Sequence, residues 1–448
     1  MRTDTIAAVC SGPGAVGVLR ISGSQAKQIA ERVFSGTLTT PRMMVYGAFW
    51  DHTQAVIDCG LGVWFEAPHS YTGEDVVEFH CHGSAVAMAT VLESCFAAGA
   101  RAAKPGEFTR RAFLAGKMDL TQAEAVVDLI EAETVSAAKS AAAQLAGEIG
   151  RGIQGLRSEL LDVAATFSAY VDYPDEEIEE LGLPETAAQL NAVAEKLFAL
   201  AASYARGRIL KDGVKTALLG RPNAGKSSLL NALVGYDRSI VTETAGTTRD
   251  TVEESALLGE VRLRLVDTAG VRETADAIER EGVVRSISAA EQADLLLCVF
   301  DGSRPWSEED AQVLAAAHGK CAIAVVNKSD LAQELDCSNL AEFGENIVCI
   351  STKTRDGFDA LREMVSRILA VKTMPCDGSL ITNARHAAAV KDAAERVSHA
   401  AHALGDGLTP DVAVGEVEVA IALLGEVTGE TANDAVLTRI FERFCVGK

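Results

Sequence analysis

The chain has 448 residues and a formal net charge of −22, and 48% of its residues are hydrophobic. This length predicts about three domains, each with enough apolar side chains for a buried core. The acidic balance argues against a broad nucleic-acid surface, so contact with RNA would need a local basic patch. With no apolar run near the ~20 residues of a membrane span, no targeting pattern and no Cys-x-x-Cys pair, we expect a cytoplasmic protein with reduced thiols.

Residues 1–116 alternate short β-rich runs with turns, which predicts a small α+β domain. Two helices are expected within it, near residues 24–34 and 84–98. On a strand at residues 75–83, period-two alternation puts three ionisable side chains on one face: Glu78, His80 and His82.

That polar row could be a metal site, but a polar small-molecule pocket fits it better. Arg20 and Lys117 lie in similarly unusual, glycine-flanked sequence. We therefore expect these residues to contribute to one ligand pocket.

A basic cluster follows, in which Glu107 is the single acid among five cations: Arg101, Lys104, Arg110, Arg111 and Lys117. Two interpretations remain open for it. It could be the solvated face of a helix, or it could contact phosphate or RNA.

Helical periodicity then dominates. Thr121-Gln122-Ala123-Glu124 has the pattern of a capping box and predicts a long alanine-rich helix that runs to the region of Gly147. Further helices are expected at residues 156–170, 185–206, 383–404, 411–425 and 431–444.

The segment at residues 211–371 has a different character. Val214–Leu219 reads as a strand, a glycine-containing loop follows, and a helix begins near Ser228. This is the context of a phosphate-binding loop, whose backbone N–H groups cradle phosphates while Lys226 reaches the β- and γ-phosphates and Ser227 ligates Mg²⁺. The loop residues assigned to the nucleotide are Asn223, Ala224, Gly225, Lys226, Ser227 and Ser228.

Three more motifs each follow a predicted strand, at residues 261–266, 321–326 and 347–350. The first contacts Mg²⁺ and the γ-phosphate, and the other two contact the base. Asp330 can accept from both donors of guanine, which selects GTP over ATP. The motifs are Asp267-Thr268-Ala269-Gly270, Asn327-Lys328-Ser329-Asp330 and Ser351-Thr352-Lys353.

Together these features predict a Ras-like P-loop GTPase domain inserted into a helical domain. The helical domain would comprise residues 117–210 and 372–448, on either side of the insertion. The expected fold class is therefore α/β combined with α+β and all-α parts.

Motifs outside the GTPase segment give a resemblance that covers essentially the whole chain. With them the sequence resembles the MnmE (TrmE) family of bacterial and organellar tRNA-modification GTPases. Val446 replaces a usual Ile, Ser84 replaces a usual Gly, and residues 351–353 are a variant of the family's last guanine loop. The motifs are Thr5-Ile6-Ala7-Ala8, Ser70-Tyr71-Thr72-Gly73-Glu74-Asp75, the run from Lys104 to Phe113, Gly116-Lys117-Met118-Asp119-Leu120 and Phe444-Cys445-Val446-Gly447-Lys448.

The resemblance implies a homodimer that works on tRNA with the flavoprotein MnmG. Together the two proteins add an aminomethyl or carboxymethylaminomethyl group to carbon 5 of the wobble uridine. The one-carbon unit comes from methylene- or formyl-tetrahydrofolate bound by residues 1–116, which also form the dimer. The family's folate contacts and its functionally important cysteine match Arg20, Glu78, Lys117, Lys448 and Cys445.

The resemblance also implies how GTP is hydrolysed. Ras-type enzymes orient water with a Gln just after the Asp-x-x-Gly motif, but Val271 stands there. In the family K⁺ supplies the missing charge, and a catalytic acid that matches Glu279 positions water through a relay. An ordinary helix-start acid is an open alternative for Glu279.

The metal ligands and the mobile nucleotide loop are assigned on the same resemblance. Ser227 and Thr248 would hold Mg²⁺, whereas Asn223, Thr242, Thr244 and Thr247 would hold K⁺. The GTP site would then include the loop Thr242, Glu243, Thr244, Ala245, Gly246, Thr247 and Thr248.

Two other functions fit part of the sequence. A ribosome-assembly GTPase shares every guanine motif, but it would need a basic RNA-binding appendage after residue 371, and no Gly-x-x-Gly clamp appears there. A nucleotide-gated scaffold without chemistry of its own would not need the polar pocket residues. Folate binding distinguishes the two.

Overall fold

The structure, a computed structural model, describes residues 4–12, 14–172, 183–234, 254–266 and 290–448. Among these residues no helix is both long enough and apolar enough to cross a membrane. The chain forms two compact units, and the second interrupts the first in sequence. The first comprises Met1–Ile130, Ala142–Ala201 and Arg385–Lys448, and the second comprises Glu131–Ala141 and Ala202–Ala384.

The first unit begins with a six-stranded sheet, ordered β3-β4-β5-β2-β1-β6, together with three helices. Both predicted helices are confirmed. Strand β3 was not predicted, because Phe49 is its one large buried apolar side chain and gives little periodic signal. The elements are β1 Ile6–Val9, β2 Val16–Ser22, α1 Ala26–Val33, β3 Val45–Trp50, β4 Val56–Phe65, β5 Val76–His82, α2 Ala85–Ala97, β6 Arg101–Ala102 and α3 Glu107–Leu114.

Three phenylalanines form the centre of this sheet's core. The ring centroids of Phe34 and Phe49 are 5.0 Å apart, and those of Phe49 and Phe79 are also 5.0 Å apart. Val77, Phe79 and Cys81 are all buried, as period-two alternation predicts. The opposite face of β5 is therefore free to present Glu78 and His80 to a ligand.

Helices form the rest of the first unit. They are α4 Leu120–Ile130, the end of α5 Val135–Leu145, α6 Glu148–Asp172, α7 Leu183–Ala202, and three helices that follow the second unit. We number those three α12 Ala384–Gly405, α13 Pro410–Thr428 and α14 Asp434–Phe441. The first two agree closely with the predicted helices at 383–404 and 411–425, whereas α14 is shorter than the helix predicted at 431–444.

The single long helix predicted from residue 121 to about 147 is wrong. The helix is interrupted at residues 131–134. The hydroxyl of Thr134 accepts a hydrogen bond from the N–H of Ala137, 3.1 Å away. A threonine hydroxyl used in this way starts a new helix. Helix α6 also begins at Glu148 rather than near 156. Gly150 in its first turn packs closely on Asp119, whose Oδ2 would lie 2.3 Å from a Cβ there.

The helix start at Leu120 is capped by residues other than the predicted pair. The side chain of Asp119 accepts from the N–H of Gln122 at 2.8 Å, and the side chain of Gln122 accepts from the N–H of Asp119 at 3.0 Å. This reciprocal arrangement is the capping box, displaced from Thr121 and Glu124. Glu124 is thereby free for another role.

That role is an ion-pair cluster between helices α4 and α12. Oε2 of Glu124 lies 2.5 Å from Nε2 of His386 and 3.0 Å from Nη2 of Arg385. Burial raises the pKa of Glu124, but the two cations outweigh it and lower the pKa to about 2. The cluster joins helix segments that are 261 residues apart in sequence.

The second unit contains a six-stranded sheet ordered β12-β11-β10-β7-β9-β8, in which only β8 is antiparallel to its neighbour. The predicted strands are confirmed, and β8 and β10 are additional. The elements are α8 Tyr204–Asp212, β7 Val214–Leu219, α9 Lys226–Val234, β8 Glu254–Leu258, β9 Val261–Leu265, β10 Leu295–Asp301, α10 Glu308–Ala317, β11 Ala322–Asn327, the 3-10 helix Cys337–Phe343, β12 Ile347–Cys349, α11 Phe358–Ile368 and the 3-10 helix Val371–Thr373.

Strands β10 and β11 have no exposed residue, which explains their continuous apolar sequence. Since β7, β10, β11 and β12 run parallel, their carboxyl ends meet at one edge of the sheet. Ligands of open parallel sheets bind at that edge.

Candidate functional site

The loop after β7 has the backbone shape that a phosphate cradle requires. Asn223 has φ 62° and Gly225 has φ 100°, both in the left-handed region. A Cβ at Gly225 would lie 2.1 Å from Nδ2 of Asn327. Glycine is therefore required here by conformation and by space, and α9 begins at the next residue with its N–H groups toward the loop.

Lys226 is folded into the loop. Its Nζ donates to the carbonyl oxygens of Gly220 at 2.6 Å and Arg221 at 2.9 Å. Burial lowers the pKa of Lys226, and the nearby Glu309 partly opposes this. A cation surrounded by loop backbone fits the phosphates of a nucleotide.

Sequence reasoning missed an ion pair that anchors the same loop. Nη1 of Arg221 lies 3.1 Å from Oδ2 of Asp310, whose side chain is only 1% exposed. Asp310 also completes a capping box with Ser307 at the start of α10. No local motif could reveal this pair, because its partners are 89 positions apart in the sequence.

Asn327 connects the phosphate loop to the predicted base loop. Its Nδ2 donates to the carbonyl oxygen of Ala224 at 3.0 Å, and its Oδ1 accepts from the N–H of Thr352 at 3.2 Å. Asn327 is 1% exposed. One buried amide thus holds both halves of the predicted nucleotide site together.

Asp330 is oriented by the last motif. The hydroxyl of Ser351 donates to its Oδ1 at 2.7 Å, and the N–H of Lys353 donates to the same hydroxyl at 3.3 Å. Lys328 donates to Asp301 at 2.6 Å. The structure thus brings together Asn327, Asp330, Ser351 and Thr352, with Ser329 on the same loop.

Other predicted nucleotide and metal residues lie outside the described residues. These are Thr242, Glu243, Thr244, Ala245, Gly246, Thr247, Thr248, Asp267, Thr268, Ala269, Gly270 and Glu279, together with Val271.

A second site lies on the polar face of the first unit's sheet. Arg20 on β2 is opposite Glu78 on β5, and Nε of Arg20 donates to Oε1 of Glu78 at 2.7 Å. The guanidinium carbon of Arg20 lies 4.9 Å from the ring centroid of Tyr71 and 5.5 Å from that of Phe108. The guanidinium of Arg20 is thus in cation–π contact with two aromatic rings while it pairs with Glu78.

The C-terminal segment packs beside this pair. The N–H of Phe108 donates to the carbonyl oxygen of Lys448 at 3.2 Å. Burial raises the pKa of the Cys10 thiol, and the charges of Arg20, Glu78 and Lys448 are close enough to act on it. Lys448 thus lies on the segment that packs against Phe108, whose ring contacts Arg20. Cys445, three residues before Lys448, is exposed.

Lys117 lies against the loop of residues 70–75, where a Cβ at Gly73 would be 3.3 Å from its Cε. His82 pairs with Asp58 at 2.7 Å, and Nε2 of His80 is 4.0 Å from Oε2 of Glu78. Within the described part of the chain, no three His, Cys, Asp or Glu side chains are grouped to hold a metal ion.

The basic cluster divides in a way that neither interpretation anticipated. Nη2 of Arg101 lies 2.5 Å from Glu107, and Arg111 contacts Glu107 at 3.1 Å and Glu74 at 2.9 Å. Burial raises the pKa of Glu107, but the bonds from Arg101 and Arg111 lower it to about 2. Arg101 and Arg111 are thus structural, and Lys104 and Lys117 remain exposed.

Comparison with known proteins agrees with this arrangement. The family model for the MnmE helical domain matches residues 120–445, and that for the GTP-binding protein TrmE N-terminus matches residues 5–117. The tRNA modification GTPase MnmE of Roseiflexus sp. (strain RS-1) is 43% identical over 461 residues, with 99% of each chain covered.

The chain belongs to the MnmE family.

A second MnmE, from Symbiobacterium thermophilum, is 42% identical over 459 residues and covers 100% of both chains. Among solved structures, Era of Aquifex aeolicus is 27% identical, covering 41% of this chain and 66% of its own, with a TM-score of 0.26. That score is too low to add to the MnmE assignment.

For this MnmE-family chain, Asp330→Asn should weaken GTP binding by about 1–3 kcal/mol, because an amide accepts from only one of guanine's two donors. Binding of xanthosine triphosphate should improve. Competition between the two nucleotides measures the change, and Asp336→Asn, at a helix cap on an exposed loop, is the control. An unchanged preference for GTP would contradict the assignment of Asp330.

Proposed function

We propose that the chain, a GTPase that acts in tRNA modification, drives the addition of an aminomethyl or carboxymethylaminomethyl group to carbon 5 of the wobble uridine. The carrying observation is that the phosphate loop and the Asn327–Asp330–Ser351 group share one sheet edge in a chain of the MnmE family. We further propose that it acts in the cytoplasm, as a homodimer, with the flavoprotein MnmG.

Different residues would bind the phosphates of GTP, its base and the Mg²⁺ ion. The loop from Asn223 to Ser228 would wrap the phosphates, and Lys226 would leave its two carbonyl partners to pair with the β- and γ-phosphates. Asp330 would read the guanine edge while Ser351 fixes its orientation. Mg²⁺, held by Ser227 and Thr248, would neutralise charge between the phosphates.

For water activation we propose K⁺ rather than an amide or arginine side chain. Asn223, Thr242, Thr244 and Thr247 would hold the ion, and Glu279 would position water through a relay. Support comes from Val271 in the usual glutamine position and from Asn223, which is exposed in the phosphate loop.

GTP turnover should accordingly be faster in K⁺ than in Na⁺ at matched ionic strength, because the oxygen cage selects by ion size. Asn223→Ala should erase the preference, whereas Glu279→Ala should slow turnover and keep it. Equal rates of the wild-type protein in both salts would overturn the cation mechanism.

The polar site of the first unit is proposed to bind a tetrahydrofolate derivative through Arg20, Glu78, Lys117 and Lys448. An arginine that pairs with a carboxylate and contacts two aromatic rings suits a flat, hydrogen-bonding heterocycle. Bound folate would supply the one-carbon unit. We also propose that Cys445 takes part in the transfer of the one-carbon unit near this site.

Titration of formyl-tetrahydrofolate into the whole chain should give saturable binding that Arg20→Ala reduces by more than about 10-fold, the equivalent of 1.4 kcal/mol. Arg20→Ala removes both the ion pair with Glu78 and the cation–π contacts with Tyr71 and Phe108. Arg32→Ala, at the exposed end of α1, is the control. Equal affinity of wild type and Arg20→Ala would refute the pocket.

The complete reaction is tested with both purified proteins, an unmodified tRNA, GTP and methylene-tetrahydrofolate. Nucleoside analysis of the tRNA should reveal wobble-uridine modification that requires GTP hydrolysis. A reaction that proceeds equally well without this chain would overturn the proposed function.

A further inference from the structure

The exposed Cys445 lies where two distant chain segments meet. A Cβ at Gly106 would be 2.6 Å from the carbonyl oxygen of Phe441 and 3.0 Å from Cβ of Phe444. The N–H of Gly106 donates to the carbonyl oxygen of Cys445 at 3.4 Å. The segment before α3 and the segment after α14 therefore form one continuous surface around Cys445.

This surface is basic, although the chain as a whole is strongly acidic. Lys104, Arg439 and Arg443 are all exposed, and no ion pair engages any of them in the part of the chain that the structure describes. Residues 434–448 contain two acids, Asp434 and Glu442, and Asp434 pairs with Arg110 at 3.6 Å. Residues 99–106 contain no acid. With Asp434 paired to Arg110, the patch holds three cations, Lys104, Arg439 and Arg443, against one acid, Glu442.

The three cations are placed for an extended ligand. Arg439 and Arg443 are four residues apart, and the helical turn continues to Arg443, whose N–H donates to the carbonyl oxygen of Ile440. Residues with that spacing lie on one side of a helix. Lys104 stands on the other segment, two residues from Gly106, so the exposed cations come from two chain segments that meet at Cys445.

We infer that the surface formed by Lys104, Arg439 and Arg443 binds the phosphate backbone of tRNA beside Cys445. A polyanion matches exposed, separated cations, whereas a small phosphate ligand would need cations that converge. The net charge of −22 repels RNA from the rest of the chain, so one local patch also fixes the orientation of the bound tRNA. This inference rests on the proposed function in tRNA modification.

The test is fluorescence anisotropy of a labelled, unmodified tRNA transcript bound by the whole chain over a series of NaCl concentrations. The double variant Arg439→Glu/Arg443→Glu should weaken binding by at least about 10-fold and lower the slope of log Kd against log salt by about 1 to 2. Lys104→Glu should have a smaller effect of the same kind. Basal GTP turnover without tRNA should not change.

The matched control is Lys391→Glu, which reverses a charge that is 64% exposed on α12 and should alter neither affinity nor slope. Arg439→Gln/Arg443→Gln, which only neutralises, should give an intermediate loss in a protein with an unchanged circular dichroism spectrum. Equal affinity and slope for the wild type and the double Glu variant would overturn the inference. If tRNA binds through the patch but the reconstituted reaction yields no modified uridine, the surface stands and the proposed reaction fails.

Discussion

Gly225→Ala is expected to weaken GTP binding by more than about 100-fold, the equivalent of about 2.7 kcal/mol. Two costs add at this position. Gly225 has φ 100°, which costs an alanine roughly 1–2 kcal/mol. Its Cβ would also lie 2.1 Å from Nδ2 of Asn327, so the loop or the amide must move.

Movement of Asn327 would spread the damage to the base, because the same side chain accepts from the N–H of Thr352. Fluorescence titration with a labelled GTP measures the loss. Gly319→Ala is the matched control, since Gly319 has φ 71° but a Cβ there meets no atom within 4 Å. It should lower thermal stability slightly and leave GTP affinity intact. Wild-type affinity in Gly225→Ala would show that the loop changes shape on binding GTP.

The second large effect is expected from Gly447→Ala at the C-terminal segment. Gly447 has φ 99°, and a Cβ there would lie 2.2 Å from the carbonyl oxygen of Val9 and 3.0 Å from Cα of Cys10. Both are backbone atoms of the sheet or its edge, which cannot rotate away. The segment must therefore leave its position, and Lys448 leaves with it.

The consequence for this variant is loss of formyl-tetrahydrofolate binding by more than about 10-fold, with little change in the thermal midpoint. Stability should survive because Phe441 and Phe444 stay buried upstream of the change. Gly407→Ala provides the control, with φ 77° and open space around its Cβ. Unchanged folate affinity in Gly447→Ala would remove Lys448 from the proposed pocket.

The nucleotide loops could be predicted from sequence because their chemistry is local. Gly225, Lys226 and Asp330 occur in short motifs directly after apolar strands, and parallel strands bring such ends together without further information. The polar face of β5 could also be predicted from sequence, since period-two alternation alone separates Glu78 from Val77 and Phe79.

Features that depend on distant partners could not be predicted. In the sequence Arg111 has the pattern of a surface cation. In the fold, Glu74 and Asp4 lie within hydrogen-bond distance of it. The capping box predicted at Thr121 is wrong because the sequence also allows an overlapping one formed by Asp119 and Gln122. The folded structure contains the second. The roles proposed for Cys445 and Lys448 came from family resemblance, and the packing of Gly447 supplies a physical reason for their location.

The cluster of Glu124 with His386 and Arg385 also makes the stability of the fold depend on pH in the acidic range. Its depressed folded pKa of about 2 means that Glu124 contributes stability above the ordinary carboxyl pKa of 4.5. That contribution is lost as the pH falls from about 4.5 through about 2, because protonation of the Glu124 carboxylate removes its attraction to His386 and Arg385. Because the cluster joins helix α4, which precedes the second unit in the sequence, to helix α12, which follows it, acid should weaken the packing of α4 against α12.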